Sequence, residues 1–171
     1  MPDTSRLGDI TAPYTLEEGL RRLVRNIQRI VTPALKTRIL LTRPSTSPKR
    51  VLVVEDDIDS VRTLSMLVMT MGHQVEYAIN GYVAVSIAKR FKPDVVLLDI
   101  GLPGMNGFDV CKTLKNDPNL SHIRVIVVTA YGDPAFRQRS AEVGCEIHLV
   151  KPVAPEVLEQ AIDIKSTQEK R

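Results

Sequence analysis

Glu55, Asp56 and Asp99 each stand just past the end of an apolar run, and Lys151, followed by Pro152, stands past another. The runs are Val51-Leu52-Val53-Val54, Val95-Val96-Leu97-Leu98 and Ile147-His148-Leu149-Val150. Ligands of an open parallel sheet bind outside the carboxyl ends of its strands. If these runs are neighbouring strands, three carboxylates and one ammonium share a crevice. Clustered carboxylates repel one another and call for a cation.

The elements that would position these groups alternate along the chain. Val51–Val54 reads as a strand, followed by a helix from about Asp59 to Met71 that Gly72 stops. Gln74–Ala78 is a short strand, and Asn80-Gly81 opens a helix over about 82–91 that ends before Pro93. Val95–Leu98 is unbroken and apolar, as a strand buried on both faces should be. Asn106–Lys115 predicts the third helix and Arg124–Val128 the fourth strand. A helix from about Pro134 to Val143 closes at Gly144, and Ile147–Val150 and Pro155–Ile164 supply the last strand and helix. Five strand–helix repeats in about 115 residues imply an α/β fold, a doubly wound five-stranded parallel sheet with helices on both faces.

Bulk properties narrow the setting. The chain has 171 residues, 43% of them hydrophobic and 25% charged, which suits a globular domain with an appendage. No apolar run approaches the roughly 18 residues of a membrane span, and the start, Met1-Pro2-Asp3-Thr4-Ser5, is not a secretory signal. Cys111 and Cys145 lack metal-type spacing and are expected to be reduced, structural thiols of a cytoplasmic protein. The net charge of +3 is uneven: residues 1–50 hold ten Lys/Arg against four Asp/Glu, and residues 51–171 hold thirteen against sixteen. The basic excess therefore belongs to the N-terminal segment. A Pro/Ser/Thr-rich stretch, Thr42 to Pro48, divides an extension and linker over 1–48 from a domain over 49–165, with a polar tail over 166–171.

The chemistry at each strand end can be read in turn. Glu55-Asp56-Asp57 would repel a bare phosphate and suits either a hard cation such as Mg²⁺ or an acidic helix start. Asp99, rigid behind four apolar residues, could be a metal ligand, a base or a nucleophile. Gly101, Pro103 and Gly104 behind it predict a tight turn that lets backbone approach it. Asn106 fits the cap of the next helix. The Thr129 hydroxyl and the Ala130 N–H could hold an oxyanion. Lys151-Pro152 places an ammonium on a constrained backbone, with a cis peptide among the options.

Together, Val53-Val54-Glu55-Asp56, Leu97-Leu98-Asp99 with Pro103-Gly104-Met105-Asn106-Gly107, Val128-Thr129-Ala130 and Val150-Lys151-Pro152 resemble the receiver domain of bacterial two-component response regulators. The resemblance covers about residues 49–165 with every motif in order. It implies a flavodoxin-like fold and Asp99 as the phosphoacceptor. It implies that Glu55, Asp56, Asp99 and the Gly101 carbonyl organise Mg²⁺ or Mn²⁺, and that Thr129, Ala130 and Lys151 bind the phosphoryl group. The donor would be a sensor histidine kinase or a histidine phosphotransfer protein. Two positions depart from the pattern. Glu55 stands where Asp is frequent, and His148 occupies a switch position that usually holds Tyr or Phe. Tyr131, two residues after Thr129, is bulky enough to slow water's access to a phosphoryl group.

No output domain is expected after residue 165, so a stand-alone regulator would signal through protein contacts. The family most often uses the face of helix four, strand five and helix five, here about 133–165. Within the extension, Leu16, Leu20, Leu23, Val24, Ile27, Ile30 and Val31 fall on one arc of about 120°, opposite Arg21, Arg22, Arg25 and Arg29. Such an amphipathic helix packs on the domain, self-associates into a homodimer, or meets an anionic membrane surface or nucleic acid. With no helix-turn-helix pattern, direct DNA recognition is not expected. Two rivals remain: a receiver-like interaction module that is never phosphorylated, and an Asp-nucleophile phosphatase. The second needs an acid two residues after its nucleophile, where this chain has Gly101.

Overall fold

The computed structural model describes residues 47–164. The expected amphipathic extension, most of the linker and the polar tail lie outside the described residues. Five strands and five helices alternate: β1 (Arg50–Val54), α1 (Ile58–Thr70), β2 (Gln74–Ala78), α2 (Gly81–Phe91), β3 (Val95–Leu98), α3 (Gly107–Asn116), β4 (Arg124–Thr129), α4 (Pro134–Glu142), β5 (Ile147–Val150) and α5 (Pro155–Asp163). Every element expected within 49–165 is present, with ends shifted by one residue or so. The helix starts follow their caps. Asn80 accepts from the Val83 N–H at 2.9 Å and Asn106 from the Asp109 N–H at 3.0 Å, while Pro134 and Pro155 open α4 and α5. Gly72 and Gly144 stop α1 and α4 at φ of 91° and 90°, where side chains are disfavoured.

All strands are parallel, in the order β2-β1-β3-β4-β5. Strand residues alternate between two cores. Leu52, Val54, Val96, Leu98, Val125 and Val127 face α2 and α3, with Phe136 and Val143 of the α4 region packed alongside. Val51, Val53, Val95, Leu97, Ile126 and Val128 face α1 and α5. This two-sided burial explains the unbroken apolar runs. Among the described residues, no helix is long and apolar enough to cross a membrane.

One buried cation holds the amino edge of the sheet. Arg124 opens β4 at 5% exposure. Its guanidinium donates to the carbonyls of Ile162 (3.0 Å) and Ala161 (3.1 Å) and pairs with Glu146 at 2.8 Å. The last carbonyls of a helix lack intrahelical partners, so these bonds cap α5. Lys49 adds a bond to the Ile162 carbonyl, and burial lowers its pKa. Arg124→Met keeps the packed stem and loses these bonds. We expect it to cost about 3 kcal/mol, read as a lowered urea midpoint; an unchanged midpoint would show that the clamp contributes nothing.

Candidate functional site

Strand register brings the chemistry together. Val54 pairs with Leu98, so Glu55 and Asp99 leave the sheet side by side. The Asp99 N–H donates to the Val54 carbonyl at 2.9 Å and the Glu55 N–H to the Ala78 carbonyl at 3.1 Å, which extends the ladder past both strand ends. Strand order reverses between β1 and β3, the crevice position of an open α/β sheet. One oxygen from each of Glu55, Asp56 and Asp99 lies within 4.8 Å of the others. Glu55 and Asp99 are buried, at 4% and 9% exposure, and Asp56 is exposed.

Lys151 arrives from the far strand. Thr129 pairs with Val150, and the Lys151 N–H donates to the Thr129 carbonyl at 2.8 Å. Its Nζ donates to Glu55 Oε2 and, at 3.2 Å, to Asp99 Oδ2. The Lys151-Pro152 peptide is cis. Burial raises the Glu55 pKa; the Lys151 hydrogen bond opposes this and the charge of Asp99 adds to it. For Lys151, burial works downward, but the Glu55 hydrogen bond and the Asp99 charge win and raise its pKa. Three carboxylates and one ammonium leave two formal negative charges. All the donors are hard oxygens, so the set fits a divalent ion such as Mg²⁺.

Asp57 stands apart from the cluster's chemistry. It is the N-cap of α1, accepting from the Ser60 N–H at 2.8 Å, and that hydrogen bond holds its carboxyl below the usual range. Asp99 Oδ1 accepts from the N–H groups of Ile100 (2.7 Å) and Gly101 (3.3 Å), which fixes the carboxylate's orientation.

The turn at Gly101, Pro103 and Gly104 brings backbone to Asp99 as expected, through the Gly101 N–H. Gly104 does turn at φ 75°, but a Cβ on Gly101 would make only ordinary contacts, 3.7 Å from Asp99 Oδ2 and from Tyr131 Cε2. A second and tighter approach, which leaves no room for a side chain, is at Gly107, where a Cβ would sit 2.3 Å from the Asp99 carbonyl oxygen. The first turn of α3 therefore rests directly on the Asp99 backbone.

On the opposite flank, Thr129 is fully buried and its Oγ1 accepts from the Tyr131 N–H at 3.4 Å, while Ala130 is exposed. Tyr131 is 46% exposed. It stacks on Phe136 at 4.8 Å, and Phe136 stacks on Phe108 at 6.0 Å beneath the Arg139 guanidinium. His148 is pinned at both nitrogens: Nδ1 lies 2.9 Å from Ser140 Oγ and Nε2 lies 2.8 Å from the Tyr131 carbonyl. A carbonyl can only accept, so Nε2 carries a proton. The imidazole thus links α4 to the β4–α4 loop by hydrogen bonds, where an aromatic ring would link them by packing. Residue types alone gave no sign of the Phe136 stack or of the Ser140 contact.

A doubly wound five-stranded parallel sheet with a lysine-bridged acidic cluster at its switch point defines the class: a flavodoxin-like α/β domain. Residues 51–163 match the response regulator receiver domain model, and the chain belongs to that family. The polar-differentiation response regulator DivK of Brucella anthropi is 36% identical over 107 residues, which are 63% of this chain and 87% of DivK. The protein PilH of Pseudomonas aeruginosa is 38% identical over 114 residues, 67% of this chain and 94% of PilH. The solved structure of chemotaxis protein CheY4 of Vibrio cholerae superposes with a TM-score of 0.65 at 28% identity, covering 68% of this chain and 97% of that one. The chain is therefore a two-component signalling domain rather than an enzyme. Receiver domains bind Mg²⁺ at an acidic pocket and interact with kinases, phosphotransfer proteins and downstream targets.

The charge balance yields a test. A carboxyl raised above its unfolded pKa binds more protons when folded, so stability falls as pH climbs through that window and recovers as pH drops. Lys151→Met removes the opposing hydrogen bond and pushes Glu55 further up. In urea melts without added metal, the variant is expected to be less stable than wild type at pH 7.5. The deficit should shrink towards pH 5 as Glu55 takes up a proton; an equal deficit at both pH values would contradict this balance.

Proposed function

We propose that this chain is a response regulator that accepts a phosphoryl group on Asp99 from a phosphohistidine of a sensor histidine kinase or histidine phosphotransfer protein. The observation that carries this reading is Lys151 Nζ, 3.2 Å from Asp99 Oδ2 beside a cluster of three carboxylates. Glu55, Asp56, Asp99 and the Gly101 carbonyl are the groups that would hold Mg²⁺ or Mn²⁺. When bound, the ion supplies the positive charge that lets an anionic carboxylate meet an anionic phosphoryl donor. An Asp99 oxygen forms the new O–P bond while the N–P bond of the phosphohistidine breaks and its electron pair returns to the imidazole. Lys151 then holds one phosphoryl oxygen, and the Thr129 hydroxyl and Ala130 N–H hold another.

Rotation of Thr129 towards that oxygen would release its Oγ1 from the Tyr131 N–H and draw the loop inward. Because His148 holds the Tyr131 carbonyl, the pull reaches Ser140 on α4. Phosphorylation thereby biases a two-state equilibrium. The output face is α4, β5 and α5, read by a downstream protein or a second copy of the chain. Gly101 supplies no general acid for turnover, which disfavours the phosphatase reading.

Acetyl phosphate with Mg²⁺ should add the mass of one phosphoryl group to the wild type and none to Asp99→Asn. No gain in the wild type overturns the reading, and continuous phosphate release over many turnovers replaces it with a hydrolase. Tyr131, flanking the same small space as Asp99 Oδ2, is proposed to shield the acyl phosphate from water. Tyr131→Ala should shorten the phosphoprotein's lifetime about tenfold, or ~1.4 kcal/mol of barrier. An unchanged decay in phosphate-release measurements would remove Tyr131 from that role.

A further inference from the structure

The chain has two cysteines, and the fold brings them together in the core although they are 34 residues apart. Cys111 lies on the buried face of α3 and is fully enclosed. Cys145 follows Gly144 in the turn between α4 and β5 and keeps 9% of its surface exposed. Both are free thiols. Their sulfurs stand 2.7 Å apart, with the Cys145 S–H donating to Cys111 Sγ. Less than ~1 Å of further approach separates this from a disulfide bond of about 2.05 Å. Cys111 Sγ also lies 3.5 Å from the carbonyl of Val143, the residue that ends α4.

The surroundings treat the two thiols unequally, and burial raises both. Lys115 donates to the carbonyls of Ser121 (3.3 Å) and Ile123 (2.8 Å), and its charge lowers both thiols. The hydrogen bond between the sulfurs lowers the Cys111 pKa and raises that of Cys145. A first proton therefore leaves more easily than a second, and the remaining proton lies between the two sulfurs. Thiolate character and access together set susceptibility to oxidation. The hydrogen bond between the sulfurs favours the thiolate at Cys111, and the exposed edge of Cys145 supplies the access.

We propose that Cys111 and Cys145 form a reversible dithiol–disulfide pair, oxidised by a hydroperoxide, that ties α3 to the turn leading into β5. The Cys145 sulfur attacks an oxygen of hydrogen peroxide. The O–O bond breaks, giving Cys145 sulfenic acid and one water. The Cys111 thiol then attacks the sulfenic sulfur; as the S–O bond breaks, the departing hydroxide takes the Cys111 proton and leaves as a second water. Two thiols lose two electrons and two protons, and the peroxide is reduced to two waters. The bond pins the segment just past α4, a polar helix whose only buried residue is Ser140. Its other anchors are Phe136 on Phe108 and the link from Ser140 to His148. The oxidised form is thus one in which α4 is less free to move. This device is independent of phosphoryl transfer at Asp99.

The test treats the folded full-length protein with hydrogen peroxide, removes the oxidant with catalase, then denatures, alkylates and digests with trypsin. Cleavage places the two cysteines in peptides 91–112 and 140–165. The expected product is a monomer whose two peptides are joined and escape alkylation. Dithiothreitol should separate them, and Cys145→Ser should not yield them. Slower amide exchange through α4 in the oxidised wild type is the conformational readout. The proposal is overturned if both cysteines of peroxide-treated wild type alkylate fully. It is equally overturned if they cross-link only between molecules, or if Cys145 proceeds to sulfinic acid without joining Cys111. Because the decisive arm uses wild-type protein, the outcome does not depend on the variant folding.

Discussion

Like-charge repulsion at the carboxyl edge of the sheet is the constraint that the rest of the domain serves. Two carboxylates about 5 Å apart repel by ~3 kcal/mol at an effective dielectric of 20. Here three such groups lie within 4.8 Å, two of them buried. Left to itself, such a group spreads apart or takes up protons. Lys151, bridging Glu55 and Asp99, offsets part of the repulsion; burial still raises the Glu55 pKa, and the charge of Asp99 adds to it. The remaining strain falls on the scaffold, and the residual negative charge is what makes the edge receptive to a cation.

The scaffold resists in three ways. Burial of the sheet on both faces fixes the strand ends, because sliding one strand would expose alternate apolar residues. The ladder bonds of Asp99 and Glu55 carry that rigidity one residue beyond the strands. Gly107 then seats α3 on the Asp99 carbonyl, where a side chain would intrude at 2.3 Å. Interactions at the opposite edge, with Arg124 and Lys49 on the end of α5, hold the last helix without taking charge from the site.

The strands, the helix caps and the acids at the strand ends were legible in the sequence because they are local features. Apolar runs, Asn80, Asn106 and Gly144 each act on residues within a turn or two. Lys151 was legible as a cation at the crevice but not as the partner of Glu55, 96 residues away. That contact depends on strand order and register together. The same reason hid Gly107: a glycine needed for close approach looks like any other until the backbone it approaches is in place. The stack of Tyr131 on Phe136 and the meeting of Cys111 with Cys145 are likewise products of packing between elements that periodicity does not relate.

If the switch works as proposed, His148 departs from the family pattern and makes the mechanical link by different chemistry. A ring that moves between buried and exposed positions transmits by filling or vacating space. An imidazole tied at both nitrogens transmits by tension: the Tyr131 carbonyl on one side and the Ser140 hydroxyl on the other cannot separate without breaking a hydrogen bond. Each bond contributes about 1 kcal/mol net, so the link is strong enough to bias two loop positions and weak enough to break. Thr129 joins the same chain through the Tyr131 N–H at 3.4 Å, a long bond that a better acceptor geometry or a new anion could displace. In the proposed switch, the position of the loop after β4 would report which end of this chain of hydrogen bonds pulls harder.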